Sequence, residues 1–135
     1  MNQIKWLKDY RVGVKKIDEQ HRELFGLVSR LQDILTQGWN SDKIREVFDL
    51  LIEGIIMHFS EEEGYMRMYR YNDQLSHVVQ HRELVREIER LETQWNMGRL
   101  VATPELVDYL HNWLVLHVEG PDKKLGLFLQ ERGQE

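Results

Sequence analysis

Four successive blocks of this chain repeat apolar residues at three- and four-residue steps, and every block carries a histidine along its apolar stripe. The first reads His21, Leu24, Phe25, Val28, Leu31, and the second reads Phe48, Leu51, Ile52, Ile55, Phe59, Met66 with His58 among them. The third runs from His77 and Val78 through His81, Leu84, Val85, Ile88 and Leu91 to Trp95, and the fourth holds Leu106, Leu110, Trp113, Leu114 and His117. This is the spacing of one helix face, and no alternating strand pattern competes with it. The pentapeptide QHREL even occurs twice, at Gln20 to Leu24 and at Gln80 to Leu84. In both copies a histidine heads an apolar turn and points where the core residues point.

Local signals set the expected helix ends. Asp18 is placed to cap the first helix, which runs to about Gln37 with Gly38 suited to a left-handed C-terminal position. Ser41 is read as the cap of the second, which should fade between Tyr69 and Asn72. The third is expected from Asn72 or Asp73 to Gly98. Thr103 before Pro104 is a capping hydroxyl followed by proline at the first helical position, so the fourth helix starts there. The expected fold is all-α: an antiparallel four-helix bundle over 18–120 with an ordered N-terminal arm (1–17) and a short C-terminal helix (121–131). Trp6, Val12, Val14 and Ile17 give the arm too much apolar surface to leave in water. At 135 residues the chain is expected to form a single domain, 1–135.

Composition excludes several classes of function. The formal charge is −5, and no basic cluster offers a footprint for nucleic acid. There are no cysteines, so disulfides, thiolate metal sites and cysteine nucleophiles are ruled out. No stretch of about 18 apolar residues occurs. The expectation is a soluble, cytoplasmic protein without nucleic-acid or membrane partners; an unidentified protein partner is left open.

The chemistry lies in where the polar residues fall. His58 and Glu62 are four apart, as are His77 and His81, so each pair presents two donors on one helix face, rotated by roughly 40°. Taken singly, His21 is an ordinary core histidine, HxxxH is common on solvated helices, and the acidic run Glu61 to Glu63 is an ordinary wet face. Four helices each aiming donors inward change that reading. Five imidazoles and two carboxylates in one core would cost several kcal/mol each if left unpaired, and metal ions resolve the cost. His111 is excluded, because six residues before His117 it is turned about 120° away.

Nitrogen and oxygen donors without sulfur suit iron, manganese or zinc, and seven ligands exceed what one ion accepts. Two ions are therefore implied. If Glu62 and Asp122 both bridge together with an oxo or hydroxo group, three histidines complete one ion and two leave the other a single open position. Such a site suits a small molecule and not a large organic substrate.

These residues resemble the hemerythrin family, and within it the single-domain bacteriohemerythrins. The likeness runs from WLKDYRVGVKKIDEQH through HFSEEEGYM and HVVQH to WLVLHVEGPD. It implies an oxo- or hydroxo-bridged centre of two iron ions with His21, His58, Glu62, His77, His81, His117 and Asp122 as ligands. By the same resemblance His77, His81 and His117 hold one iron, His21 and His58 hold the open one, and both carboxylates bridge. Reversible O2 binding is implied, with a pocket of Leu24, Phe59, Trp113, Leu114 and Val118. The protein is thus expected to be an O2 carrier, store or scavenger and not an enzyme. The alternatives are a di-iron enzyme that reduces peroxide or nitric oxide or oxidises iron, and an O2 or redox sensor. Two positions depart from the family: Gly120 and Pro121 precede the last ligand, and Leu116 stands where a polar residue is frequent and would touch the ligands' surroundings.

The spacing of His117 and Asp122 poses a problem, since residues five apart on a straight α-helix diverge by about 140°. Pro121 has no N–H for the carbonyl of His117. A break or kink is therefore expected between Val118 and Asp122, with Gly120 adopting helix-ending dihedrals and Pro121 opening a helix through Leu125, Leu127 and Phe128.

Overall fold

A computed structural model of the chain describes residues 4, 6–38, 41–99 and 102–135. Four long helices fill it: α1 (Lys15–Gln37), α2 (Ser41–Met68), α3 (Gln74–Asn96) and α4 (Pro104–His117), followed by a short α5 (Lys123–Glu131). Val118–Asp122 forms a π-helical turn between the last two. No strand occurs among the described residues. α1 packs against α2 and α4, and α2 against α3, in the up-and-down order that short links enforce. Because direction alternates, His21 early in α1, His58 late in α2, His77 early in α3 and His117 late in α4 meet at one end of the bundle. The other end is apolar. There Phe48 packs on Trp95 with ring centroids 5.1 Å apart, and the Arg45 guanidinium lies over the indole at 4.9 Å.

Several helix ends differ from expectation. α1 begins at Lys15 with Val14 at its cap position, so the arm ends three residues earlier than a cap at Asp18 would place it. Asp18 is not the cap; its carboxylate reaches back to accept from the arm amides of Val12 (2.7 Å) and Gly13 (3.2 Å). Gly38 does stop α1 with positive φ, but at φ 122° and ψ 166° it lies outside the left-handed helical well, in a region open to glycine alone. Ser41 is the first residue of α2 rather than the residue before it, and position 40 lies outside the described residues. α3 starts after Asp73 and ends at Asn96. Thr103 does cap α4: its hydroxyl accepts from the Leu106 amide at 3.2 Å, with Pro104 at the start of the helix.

The arm is ordered against the helices. Ile4, Tyr10, Val12 and Val14 are buried, and Tyr10 stacks on Phe25 at 4.8 Å. Gln130 Nε2 of α5 donates to the Val12 carbonyl at 3.0 Å, and Lys123 Nζ donates to the carbonyl of Asp9 at 3.0 Å. The contact is so close that a Cβ on Gly126 would sit 2.2 Å from the Val12 oxygen. Only glycine lets the arm lie on α5.

Candidate metal centre

Seven polar side chains from α1 to α4 and the π turn meet in the core: His21, His58, Glu62, His77, His81, His117 and Asp122, none more than 4 % exposed. They form two overlapping groups that could hold a metal ion, each with its donor atoms within 4.8 Å of one another. One contains Glu62, His77, His81, His117 and Asp122, the other His21, His58, Glu62 and Asp122. The two carboxylates belong to both.

Distances define the arrangement. His117 Nε2 lies 3.2 Å from both His77 Nε2 and His81 Nε2. Asp122 sends Oδ1 to within 2.8 Å of His77 Nε2 and 3.0 Å of His117 Nε2, while its Oδ2 lies 2.7 Å from His21 Nε2 and 3.6 Å from His58 Nε2. Glu62 Oε1 lies 3.1 Å from His81 Nε2 and 3.5 Å from His58 Nε2. Nitrogens about 3 Å apart are the spacing of neighbouring donors around one ion with bonds of about 2.0–2.1 Å.

The cluster fits a cation on chemical grounds. Buried polar atoms are nearly always satisfied, yet Glu62 Oε2 and the Nδ1 atoms of His21, His77 and His117 have no hydrogen-bond partner. Burial pushes the His77 pKa down, but its bonds to Asp122 and Glu62 outweigh that and raise it to about 9. His58 also rises: burial opposes the shift, and the charge of Glu62 followed by Asp122 overcomes it. Burial likewise fails to prevent Asp122 from being held well below the usual carboxylate range by His117, His21 and His58.

The rings are fixed from outside the cluster. Phe59 stacks on His81 at 3.8 Å and 7°, and Trp113 stacks on His117 at 4.5 Å and 16°. His58 Nδ1 meets Gln20 Oε1 at 2.7 Å, and His81 Nδ1 meets Glu63 Oε2 at 3.0 Å. Gln20 and Glu63 are functional candidates that helical periodicity passes over. Each adjoins a donor in the chain, about 100° round the helix, and only the neighbouring helix gives it a histidine to hold. Leu24, Phe59, Leu114 and Val118 are buried, Phe59 against the His81 ring, and Trp113 is half-buried. His111 stands apart, edge-on to Phe25 at 5.9 Å. Leu116 is 73 % exposed, so this departure faces solvent and does not touch the donors' surroundings.

The π turn settles the five-residue spacing. Val118 (φ −66°, ψ −45°) and Asp122 (φ −70°, ψ −37°) keep right-handed helical dihedrals, so the helix is widened and not broken. A turn closed from i to i+5 brings residues five apart to one side, which puts Asp122 over His117. Pro121 lies inside this turn and does not open α5, which starts at Lys123. Gly120 is not needed for unusual dihedrals: the positive-φ glycines are Gly13, Gly38, Gly98 and Gly133.

Residues 12–128 match the model of the hemerythrin HHE cation binding domain. The chain belongs to the hemerythrin family. It is similar to a bacteriohemerythrin of Methylococcus capsulatus, 30 % identical over 118 residues that cover 87 % of this chain and 89 % of that one. A bacteriohemerythrin of Clostridium acetobutylicum is 25 % identical over 125 residues, 88 % of this chain and 95 % of that protein. A crystal structure of wild-type hemerythrin superposes with a TM-score of 0.87 at 28 % identity, covering 93 % of this chain and 96 % of that one. As a hemerythrin, the chain carries its His/Glu/Asp cluster, able to bind metal, inside the four-helix bundle that the stripes require. Among the described residues no helix is long and apolar enough to cross a membrane.

Proposed function

We propose that this hemerythrin holds two iron ions and binds O2 reversibly, as a carrier, store or scavenger and not as an enzyme. The observation that carries the reading is the unequal sharing of the cluster, in which Glu62 and Asp122 belong to both groups while three histidines serve one and two serve the other. In this reading His77, His81 and His117 saturate one ion, and His21 and His58 leave the other a position for a small ligand. Bound ferrous ions would supply the reversible electron donation that O2 binding requires. Glu62 and Asp122 bring negative charge to offset the two cations, and the five imidazoles complete the donor set without adding any.

The chain's remaining task is to keep water and protons away, since both promote irreversible oxidation. Leu24, Phe59, Leu114 and Val118, all buried, and Trp113, stacked on His117, suit that role and an apolar diatomic ligand. The alternative of an enzyme that reduces peroxide or nitric oxide or oxidises iron uses the same donors and is separated by experiment. Anaerobic protein reconstituted with ferrous iron should contain two irons per chain and develop a visible charge-transfer band with O2 that fades on degassing. Irreversible oxidation with continuing O2 consumption would favour the enzyme instead, and a centre that accepts zinc but refuses iron would sink both readings.

A further inference from the structure

Two of the five histidines in the centre are held at Nδ1 by a side chain, and the two holders differ in charge. His81 meets the Glu63 carboxylate and His58 the Gln20 amide oxygen, whereas the Nδ1 atoms of His21, His77 and His117 are buried without a hydrogen-bond partner. A carboxylate and an amide oxygen can only accept here, so both Nδ1 atoms carry the proton and both Nε2 lone pairs face the cluster. A carboxylate partner draws that proton harder than an amide does and makes the ring a stronger donor to a metal. Glu63 also reaches the surface. Its side chain is 24 % exposed, and it lines a groove with Arg67, Arg82, Ile56 and Val85 beside His81. The line from Glu62 Oε1 through His81 to Glu63 therefore runs from the buried cluster to solvent.

We infer that Glu63 is a positioning residue that makes the two halves of the centre unequal: it strengthens the ion held by His77, His81 and His117, while the neutral Gln20 leaves the ion of His21 and His58 the weaker-held. The inference rests on the two-ion reading above. Glu61 supplies the control, because it stands on the same helix with the same charge but pairs with Lys16 across a 2.5 Å contact and touches no histidine of the centre.

The test uses the metal-free protein titrated with zinc, a redox-inert ion that accepts nitrogen and oxygen donors, in competition with a chelator. Wild type should take up two ions in unequal steps. Glu63→Gln should weaken the tighter step by about 10–100-fold, the usual effect of removing such a partner, and leave the weaker step within about threefold. Gln20→Glu should tighten the weaker step, and Glu61→Gln should change neither. In the zinc-loaded protein labelled with ¹⁵N-histidine, Glu63→Gln should shift the Nδ1–H resonance of His81 and spare that of His58, with Gln20→Glu doing the reverse. A Glu63→Gln protein that matches wild type in the tighter step and in the His81 resonance overturns the inference, as does an equal loss in Glu61→Gln. Wild-type protein that takes up fewer than two ions overturns the two-ion reading itself, and this inference with it.

Discussion

Replacing Gly126 by alanine sets two opposing effects of known sign against each other. On an isolated helix the change stabilises by about 0.8–1.0 kcal/mol, because glycine is a poor helix former. Here the new Cβ would stand 2.2 Å from the Val12 oxygen, 2.8 Å from its Cβ and 3.0 Å from its carbonyl carbon. The obstacle is backbone, so the arm must retreat by more than an ångström to reach ordinary contact. Retreat weakens the bonds from the Val12 amide to Asp18 and from Gln130 to the Val12 carbonyl, worth about 0.5–1.5 kcal/mol each. It also exposes part of Val12 and Val14, both 3 % exposed now, whose full burial contributes about 1.5–3 kcal/mol apiece. The net expectation is about 2–3 kcal/mol of destabilisation, which for a domain of this size lowers the melting temperature by about 8–12 °C. Gly26→Ala and Gly64→Ala are the matched controls. Each lies within a long helix, and an added Cβ there would meet nothing within 4 Å, so both should melt about 2–4 °C higher than wild type. Thermal unfolding followed by circular dichroism on metal-free protein reads all three. A Gly126→Ala protein that melts at or above the wild-type temperature would show that the arm is not seated on α5.

Other substitutions probe the centre and the caps. His77→Ala and Glu62→Ala should lose or scramble the metal, each removing a donor shared within the buried cluster, while His111→Ala should keep it; equal metal loss in all three by elemental analysis would show the donors to be wrongly assigned. Asp18→Ala strips the arm amides of Val12 and Gly13 of their acceptor and should cost about 1–3 kcal/mol in denaturant unfolding, where a loss below about 0.3 kcal/mol would mean that water replaces the carboxylate. Thr103→Ala removes the hydroxyl bonded to the Leu106 amide and should cost about 1 kcal/mol, with Thr103→Ser largely restoring it.

What the sequence determined by itself is whatever short-range periodicity and local chemistry enforce. The three-and-four stripes require helices with one buried face, and the histidines on those stripes had to point inward whatever the helices packed against. The Thr103–Pro104 start was legible because a cap acts within a single turn. His111 was excludable because helical phase over six residues is fixed by geometry. The five-residue spacing from His117 to Asp122 announced an irregularity, but a widened turn and a broken helix both answer it. The structure takes the widened turn, which keeps α5 in line to meet the arm. Gln20 and Glu63 were invisible for a different reason: their neighbours in the chain are 100° away on the helix, and what they hold belongs to another helix. Gly126 likewise looks like a weak point in α5 until Val12, more than a hundred residues earlier, is laid across it. Tertiary packing decided these features, because each is a contact between segments whose separation no local pattern encodes.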